Sequence, residues 1–167
     1  MWRSCLAGGS LPSWRHCLEE PMTLRALSFA AVLVALAGSA HAQAAAEFQK
    51  ILDTYSKALD ANDVETLVGL YSPNGVFMRE DMPAVVGHDA LRASYKTVFA
   101  TLKVNLGFKV QEAEQSGDLG WARSVSTGKV KVLKTGAEAP EAYNQLVVFR
   151  KEGGAWKIRS YLYASSK

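Results

Sequence analysis

Apolar positions fall into two regimes along this chain. Phe48, Ile51, Leu52, Tyr55 and Leu59 recur at helical spacing on one face, and Asp60-Ala61-Asn62 closes that run. Asn62 with Glu65 three residues later reads as a capping box for a second helix, with Val64, Leu67, Val68 and Tyr71 as its apolar face. Ser72-Pro73-Asn74-Gly75 is turn chemistry, and a strand starts at Val76-Phe77-Met78. After a charged loop ending at Pro83, Asp89 is the expected cap of a third helix, whose apolar positions are Leu91, Tyr95, Val98, Phe99 and Leu102. From Lys103 the period changes to two. Val104, Leu106, Phe108 and Val110 alternate with polar residues, and strands are expected at Leu119 to Val132, Tyr143 to Arg150 and Trp156 to Tyr163. Turns are expected at Gln115 to Asp118, Lys134 to Pro140 and Glu152 to Gly154.

Helices first and hairpin-connected strands afterwards define an α+β class. The expected architecture is a cone: a curved mixed or antiparallel sheet wrapped around three N-terminal helices. A pocket for a small ligand belongs at its wide end.

The N-terminal region changes which residues count. Met22 to Arg25 is a short positive segment, Ala26 to Ala37 is uncharged and apolar, and Gly38 to Ala42 supplies small residues. This is the pattern of a secretory signal peptide cleaved after Ala42, and the run is short for a membrane span of about 20 residues. Met1 to Pro21, with Glu19-Glu20-Pro21, does not suit such a leader, so Met22 is the expected initiator. Residues 1–42 are therefore set aside, and 43–167 form one domain, secreted or periplasmic, with no stable membrane insertion after processing. Cys5, Cys17, His16 and His41 go with the leader, leaving neither a thiol nucleophile nor a disulfide. Loss of three arginines and two glutamates leaves a net charge of about +2, too mild to indicate nucleic acid.

A family resemblance rests on several stretches. These are Tyr55-x-x-Ala58-Leu59-x-x-x-Asp63; Leu67-x-x-Leu70-Tyr71-Ser72-Pro73-x-Gly75-Val76; and Pro83-x-Val85-x-Gly87-His88-Asp89-Ala90-Leu91. Ser116-Gly117-Asp118-Leu119 and Val147-Val148-Phe149-Arg150-Lys151-x-Gly153-Gly154-x-Trp156-Lys157-Ile158 complete it. Together they resemble the nuclear transport factor 2-like superfamily, in its SnoaL-like and ketosteroid isomerase-like branch. The resemblance implies a cystatin-like fold and a homodimer formed through the outer face of the sheet. It does not by itself imply an activity, because this fold hosts unrelated ones.

Tyr55 matches the position where ketosteroid isomerases place a phenol that donates to a developing enolate. Its alternative is a ring packed in the core face of the first helix. The isomerase base would fall on Arg79, which cannot accept a proton. Asp81 is the nearest candidate base, reached only by a shift of register. The second acid would fall near Gln145-Leu146-Val147, where no carboxylate stands, and the last strand carries no Asp, Glu or His. The isomerase constellation is broken. Arg79 instead suits a ligand carboxylate or phosphate, or pairs with Glu80 or Asp81 in water. Arg159, Tyr161 and Tyr163 share one face of the last strand, as cavity lining or as dimer interface. Phe77 and Trp121 complete the expected ligand contacts. His88, alone in the mature chain, is a helix-start neighbour, and neither a metal nor another cofactor is expected.

The chain therefore reads as a secreted pocket protein for a small apolar or amphipathic molecule, with little or no catalysis. Two alternatives stay open. One is an isomerase, cyclase or dehydratase using Tyr55 as hydrogen-bond donor, and the other is a homodimeric interaction module with a vestigial pocket.

Overall fold

The computed structural model describes the backbone of residues 23–166 and the side chains of 42–166. The proposed initiator Met22, the segment Met1 to Pro21 and both cysteines lie outside the described residues. The chain divides into two units, Met1–Ala35 and Leu36–Lys167. Sheet, core and cavity belong to the second. No helix among the described residues is long and apolar enough to cross a membrane.

The elements run α1 (Thr23–Ala61), α2 (Val64–Gly69), β1 (Tyr71–Arg79), β2 (Val85–Val86), α3 (His88–Thr101), β3 (Leu102–Ser116), β4 (Leu119–Val132), β5 (Glu138–Glu152) and β6 (Ala155–Ser165). One six-stranded sheet has the order β2-β1-β6-β5-β4-β3. Every neighbouring pair is antiparallel except β1 with β6, so the expected α+β architecture holds and the sheet is mixed. Two-residue turns join β3 to β4 and β5 to β6. At the second, Gly153 and Gly154 both take positive φ (57° and 84°), as a tight hairpin turn demands.

Several local expectations are corrected. The cap of α2 is Asp63, not Asn62: its carboxylate accepts from Thr66 N at 3.0 Å, while Asn62 adopts a left-handed φ of 56° to end α1. Tyr71 leaves α2 altogether and opens β1, fully buried. The Ser72 to Gly75 stretch is an irregularity inside β1, since the register with β6 jumps from Tyr71–Ile158 to Val76–Ser160. The cap of α3 is Gly87 at φ 83°, without a side-chain bond, and Asp89 sits in the first turn. Finally, α1 begins well before Phe48, and Ala44 is buried in the core.

The core forms where α1 lies on the inner face of the sheet. On β4 that face reads Gly120, Ala122, Ser124 and Ser126, all small and buried. Their partners on β5 are large: Phe149 opposite Gly120, Val147 opposite Ala122, Gln145 opposite Ser124 and Tyr143 opposite Ser126. This asymmetry makes a furrow for the helix. Phe48 drops into it, stacked on Phe149 with ring centroids 4.2 Å apart and edge-on to Trp156 at 5.2 Å. A side chain at position 120 would land on the Phe48 ring.

A second face of α1 covers the free edge of β3. The Gln49 amide donates to Phe108 O at 2.9 Å and accepts from Val110 N at 2.8 Å, beside the bulge between Val110 and Glu112. Ser56 donates to Leu106 O at 2.6 Å, and Asp60 receives Asn105 Nδ2 at 3.0 Å. Gln49, Ser56 and Asp60 lie at helical spacing, so one polar stripe satisfies an edge strand that would otherwise be open to pairing.

Gly128 pairs with Leu106 in the β3–β4 ladder, and a Cβ there would overlap the Asn105 carbonyl. The nearest atom to a Cβ at Gly107 is Thr127 O at 3.9 Å. Gly128→Ala is therefore expected to destabilise the domain by roughly 1–3 kcal/mol, with Gly107→Ala well below that in the same denaturant titration. Equal effects would contradict the close approach of the two strands.

Candidate functional site

Helix α1 fills the furrow at its Phe48 end but not at its Tyr55 end. There a cavity of about 150 Å³ remains between α1, α3 and the inner sheet face. Tyr55 and Leu59 come from α1, Tyr95 and Val98 from α3, Phe77 and Arg79 from β1, and Tyr161 and Tyr163 from β6. Leu102, Val104, Leu106 and Phe108 of β3, Ser126 and Val130 of β4, and Tyr143 and Gln145 of β5 complete the wall.

The chain has six tyrosines, and five line this space. The sixth, Tyr71, is tied to them through its hydroxyl. Tyr55 Oη and Tyr95 Oη are 2.6 Å apart, and Tyr71 Oη is 3.1 Å from the same Tyr95 oxygen. Three hydroxyls hold three protons, and two mutual bonds use only two of them. One proton is left to donate elsewhere. The rings interlock around the hydroxyls. Tyr55 stands edge-on to Phe108 at 5.5 Å and to Tyr161 at 5.4 Å, while Phe77 lies 5.7 Å from Tyr95 and 5.4 Å from Tyr161.

Burial keeps these phenols neutral. Tyr55, Tyr71, Tyr95 and Tyr161 are all pushed above the ordinary value near 10, first by loss of water; neighbouring phenols add to the rise at Tyr55, Tyr71 and Tyr161, while the hydrogen bonds from Tyr55 and Tyr71 work against it at Tyr95. Burial also raises Tyr143 to about 12, with Glu141 adding to it, and raises Tyr163, where the Arg79 charge pulls the other way. Each phenol is thus a donor at neutral pH. Gln145 and Ser126 add a polar patch to the wall: Gln145 Nε2 donates to Ser126 Oγ, and Ser124 Oγ, outside the lining, donates to Gln145 Oε1 at 2.9 Å.

The model of the SnoaL-like domain family matches residues 52–160 of this chain. The chain belongs to the SnoaL-like family. A ketosteroid isomerase-like protein from Erwinia carotovora atroseptica is 29% identical, with a TM-score of 0.69 over 74% of this chain and 96% of that one. Two structures below 25% identity share the fold. One, an NTF2-like protein with a cystatin-like fold from Novosphingobium aromaticivorans, is 18% identical over 89% of this chain and 93% of that one, TM-score 0.61. The other, an NTF2-like protein of unknown function from Pseudomonas putida, is 15% identical over 74% and 87%, TM-score 0.60. No curated protein matches.

Within this SnoaL-like domain, Tyr55, Phe77, Arg79, Tyr161 and Tyr163 converge on the cavity. Three other expected site residues do not. Trp121 lies on the opposite face of the sheet, because β4 turns its small residues inward and its odd-numbered ones outward. Arg159 is the extra residue of a bulge, where Val148 pairs with Ser160 and Phe149 with Ile158. The bulge puts Ile158 on the buried side with Tyr161, and the Arg159 guanidinium binds the Asn74 carbonyl instead. Asp81 is exposed in a turn at φ 56°, outside the cavity wall. Arg79 ends β1 half-buried rather than standing in a solvated loop. His88 Nε2 lies 3.0 Å from Tyr71 O, a bond within the framework. No cluster of metal-ligating side chains occurs among the described residues.

Tyr95, Tyr71, Phe108 and the Ser124–Gln145–Ser126 chain were not anticipated as site residues. Tyr95 and Phe108 were visible only as core positions. Their role depends on which end of the furrow is left unfilled.

The raised phenol pKa values give a signed prediction. The folded state holds these protons more tightly than the unfolded chain, so stability is intact below about pH 10 and falls as pH rises beyond it. The absorbance of phenolate should show no tyrosine ionising at its ordinary pH while the fold survives. Tyr161→Phe should make the alkaline loss of stability less steep. Two or more phenols titrating reversibly near pH 10 in the folded protein would contradict the buried network.

Proposed function

We propose that this SnoaL-like domain binds a small apolar or amphipathic molecule in the cavity between α1, α3 and the sheet, with little or no catalysis. The carrying observation is the wall itself: seven aromatic rings, a phenol cluster with one proton to spare, and an amide patch. Such a lining favours an apolar body with an acceptor oxygen. Its ionisable groups are tyrosines and one arginine. Neutral phenols and a guanidinium can orient and polarise a ligand, but neither accepts a proton near neutral pH.

The spare phenol proton favours a second reading, an enzyme of isomerase, cyclase or dehydratase type in which Tyr55 polarises a carbonyl. That reading lacks a base within the wall, since Asp81 is on the outside. Native mass spectrometry of protein taken from its own compartment separates the cases. A co-purifying molecule recovered unchanged after incubation supports binding. A molecule converted by the wild type and not by Tyr55→Phe supports catalysis and overturns the first reading. An empty protein whose melting temperature no small ring compound raises overturns both.

The working form is proposed to be a homodimer. Leu146 and Leu162, paired across β5 and β6, are exposed on the outer sheet face with Val148 and Trp121 beside them. A stable interface needs about 800 Å² per partner, and a broad sheet face can supply it. Leu146→Glu combined with Leu162→Glu is expected to shift a dimer to monomer in light scattering without loss of fold. A wild type that is monomeric at micromolar concentration would contradict this assignment. Export is proposed from the leader pattern, and the exported chain should begin at Gln43 in intact-mass measurement.

A further inference from the structure

The cavity's size and its single fixed charge narrow the ligand. Resting on the binding reading above, we propose that the occupant is a one-ring aromatic acid, its ring among the tyrosines and its carboxylate on Arg79.

Size comes first. A volume of about 150 Å³ equals that of an apolar cavity known to take benzene, and sites for drug-sized ligands start at about 300 Å³. One six-membered ring with a small substituent matches that volume, and a fused multi-ring skeleton would extend beyond it. The wall supports the same conclusion. Tyr55, Phe77, Tyr95, Phe108 and Tyr161 meet in edge-on, tilted and stacked pairs with centroids 5.4–6.4 Å apart, so the wall offers ring faces and edges to an aromatic guest.

Charge comes second. An aromatic cage alone would also suit a quaternary ammonium ion. Here Arg79 places a full positive charge in the wall, and no carboxylate lines it to offset that charge. A cation is therefore repelled and an anion attracted. Arg79 is also short of partners. Its guanidinium lies 5.8 Å from the centroid of the Phe77 ring, and its Nε is buried without a hydrogen-bond partner. The adjacent Glu80 instead accepts from Ser165 N at 2.7 Å. No ion pair joins Arg79 to a carboxylate among the described residues. A charged donor without partners is costly, and a carboxylate in the cavity engages the guanidinium end-on through its terminal nitrogens, since Nε itself is buried.

The test is calorimetric titration of the purified chain at low salt with four probes: benzoate, its neutral near-isostere acetophenone, benzyltrimethylammonium and 2-naphthoate. Benzoate is expected to bind about tenfold to hundredfold more tightly than acetophenone, the range of a charge-assisted bond. The cation and the two-ring acid should bind more weakly still. Arg79→Met should erase the preference for benzoate over acetophenone, and Arg79→Lys should restore part of it, with melting temperatures confirming that both variants fold. Equal affinity for benzoate and acetophenone, or a preference that survives Arg79→Met, overturns the aromatic-acid assignment while leaving the binding reading intact. Tighter binding of 2-naphthoate or of the cation overturns it as well. If no ring compound binds, both readings fall.

Discussion

The fit of Phe48 over Gly120 is the constraint on which the rest of the domain depends. The tip of an aromatic ring can reach a strand's backbone only where that strand offers no side chain, and β4 offers none at this position. Stacking on Phe149 and the edge of Trp156 then holds the ring from two further sides. Trp156 is itself anchored by its indole N–H to Glu47 at 2.9 Å, one residue before Phe48. The helix is thus pinned close to the sheet at one place. Its onward direction is set by Gln49, Ser56 and Asp60 along the β3 edge.

Pinning one end tightly is what leaves space at the other. The inner face of β4 stays small up to Ser126, while α1 presents Leu59 and Tyr55, whose ring meets Tyr95 of α3 and Tyr161 of β6 rather than filling the furrow. Space bounded by rings would be dry and featureless without the hydroxyls. These are supplied in a form that burial cannot ionise, so the cavity has donors without an internal negative charge. Arg79 then sets the sign of the local field. Packing, hydrogen bonding and electrostatics all follow from where the helix is seated.

Much of the architecture was legible in the residues. The α1 face from Phe48 to Leu59, the alternation through β3 and β4, and the glycine-marked turns correctly give helices followed by long hairpins. Boundaries failed where two local chemistries competed. Asn62 and Asp63 both suit a cap, and the one that could not relax its left-handed backbone lost. Tyr71 keeps helical spacing with Val68 but is drawn into β1 by the Tyr95 hydroxyl and the sheet. For the site, alternation alone cannot locate a bulge, and one extra residue moved Arg159 to the outside. A clearer signal was present and unread: Gly120, Ala122, Ser124, Ser126 and Gly128 repeat every second residue, the mark of a strand against which something packs closely.

The central claim is that the domain holds an aromatic-walled space beneath α1, open to a small ring. Intermolecular nuclear Overhauser effects from benzene, chosen because it carries no group that could direct it, test this most directly. The account predicts cross-peaks to the rings of Tyr55, Phe108 and Tyr161 and none to Trp121 on the far side of the sheet. Cross-peaks to Trp121 and the leucines of the outer face, with silence from the inner tyrosines, would contradict it.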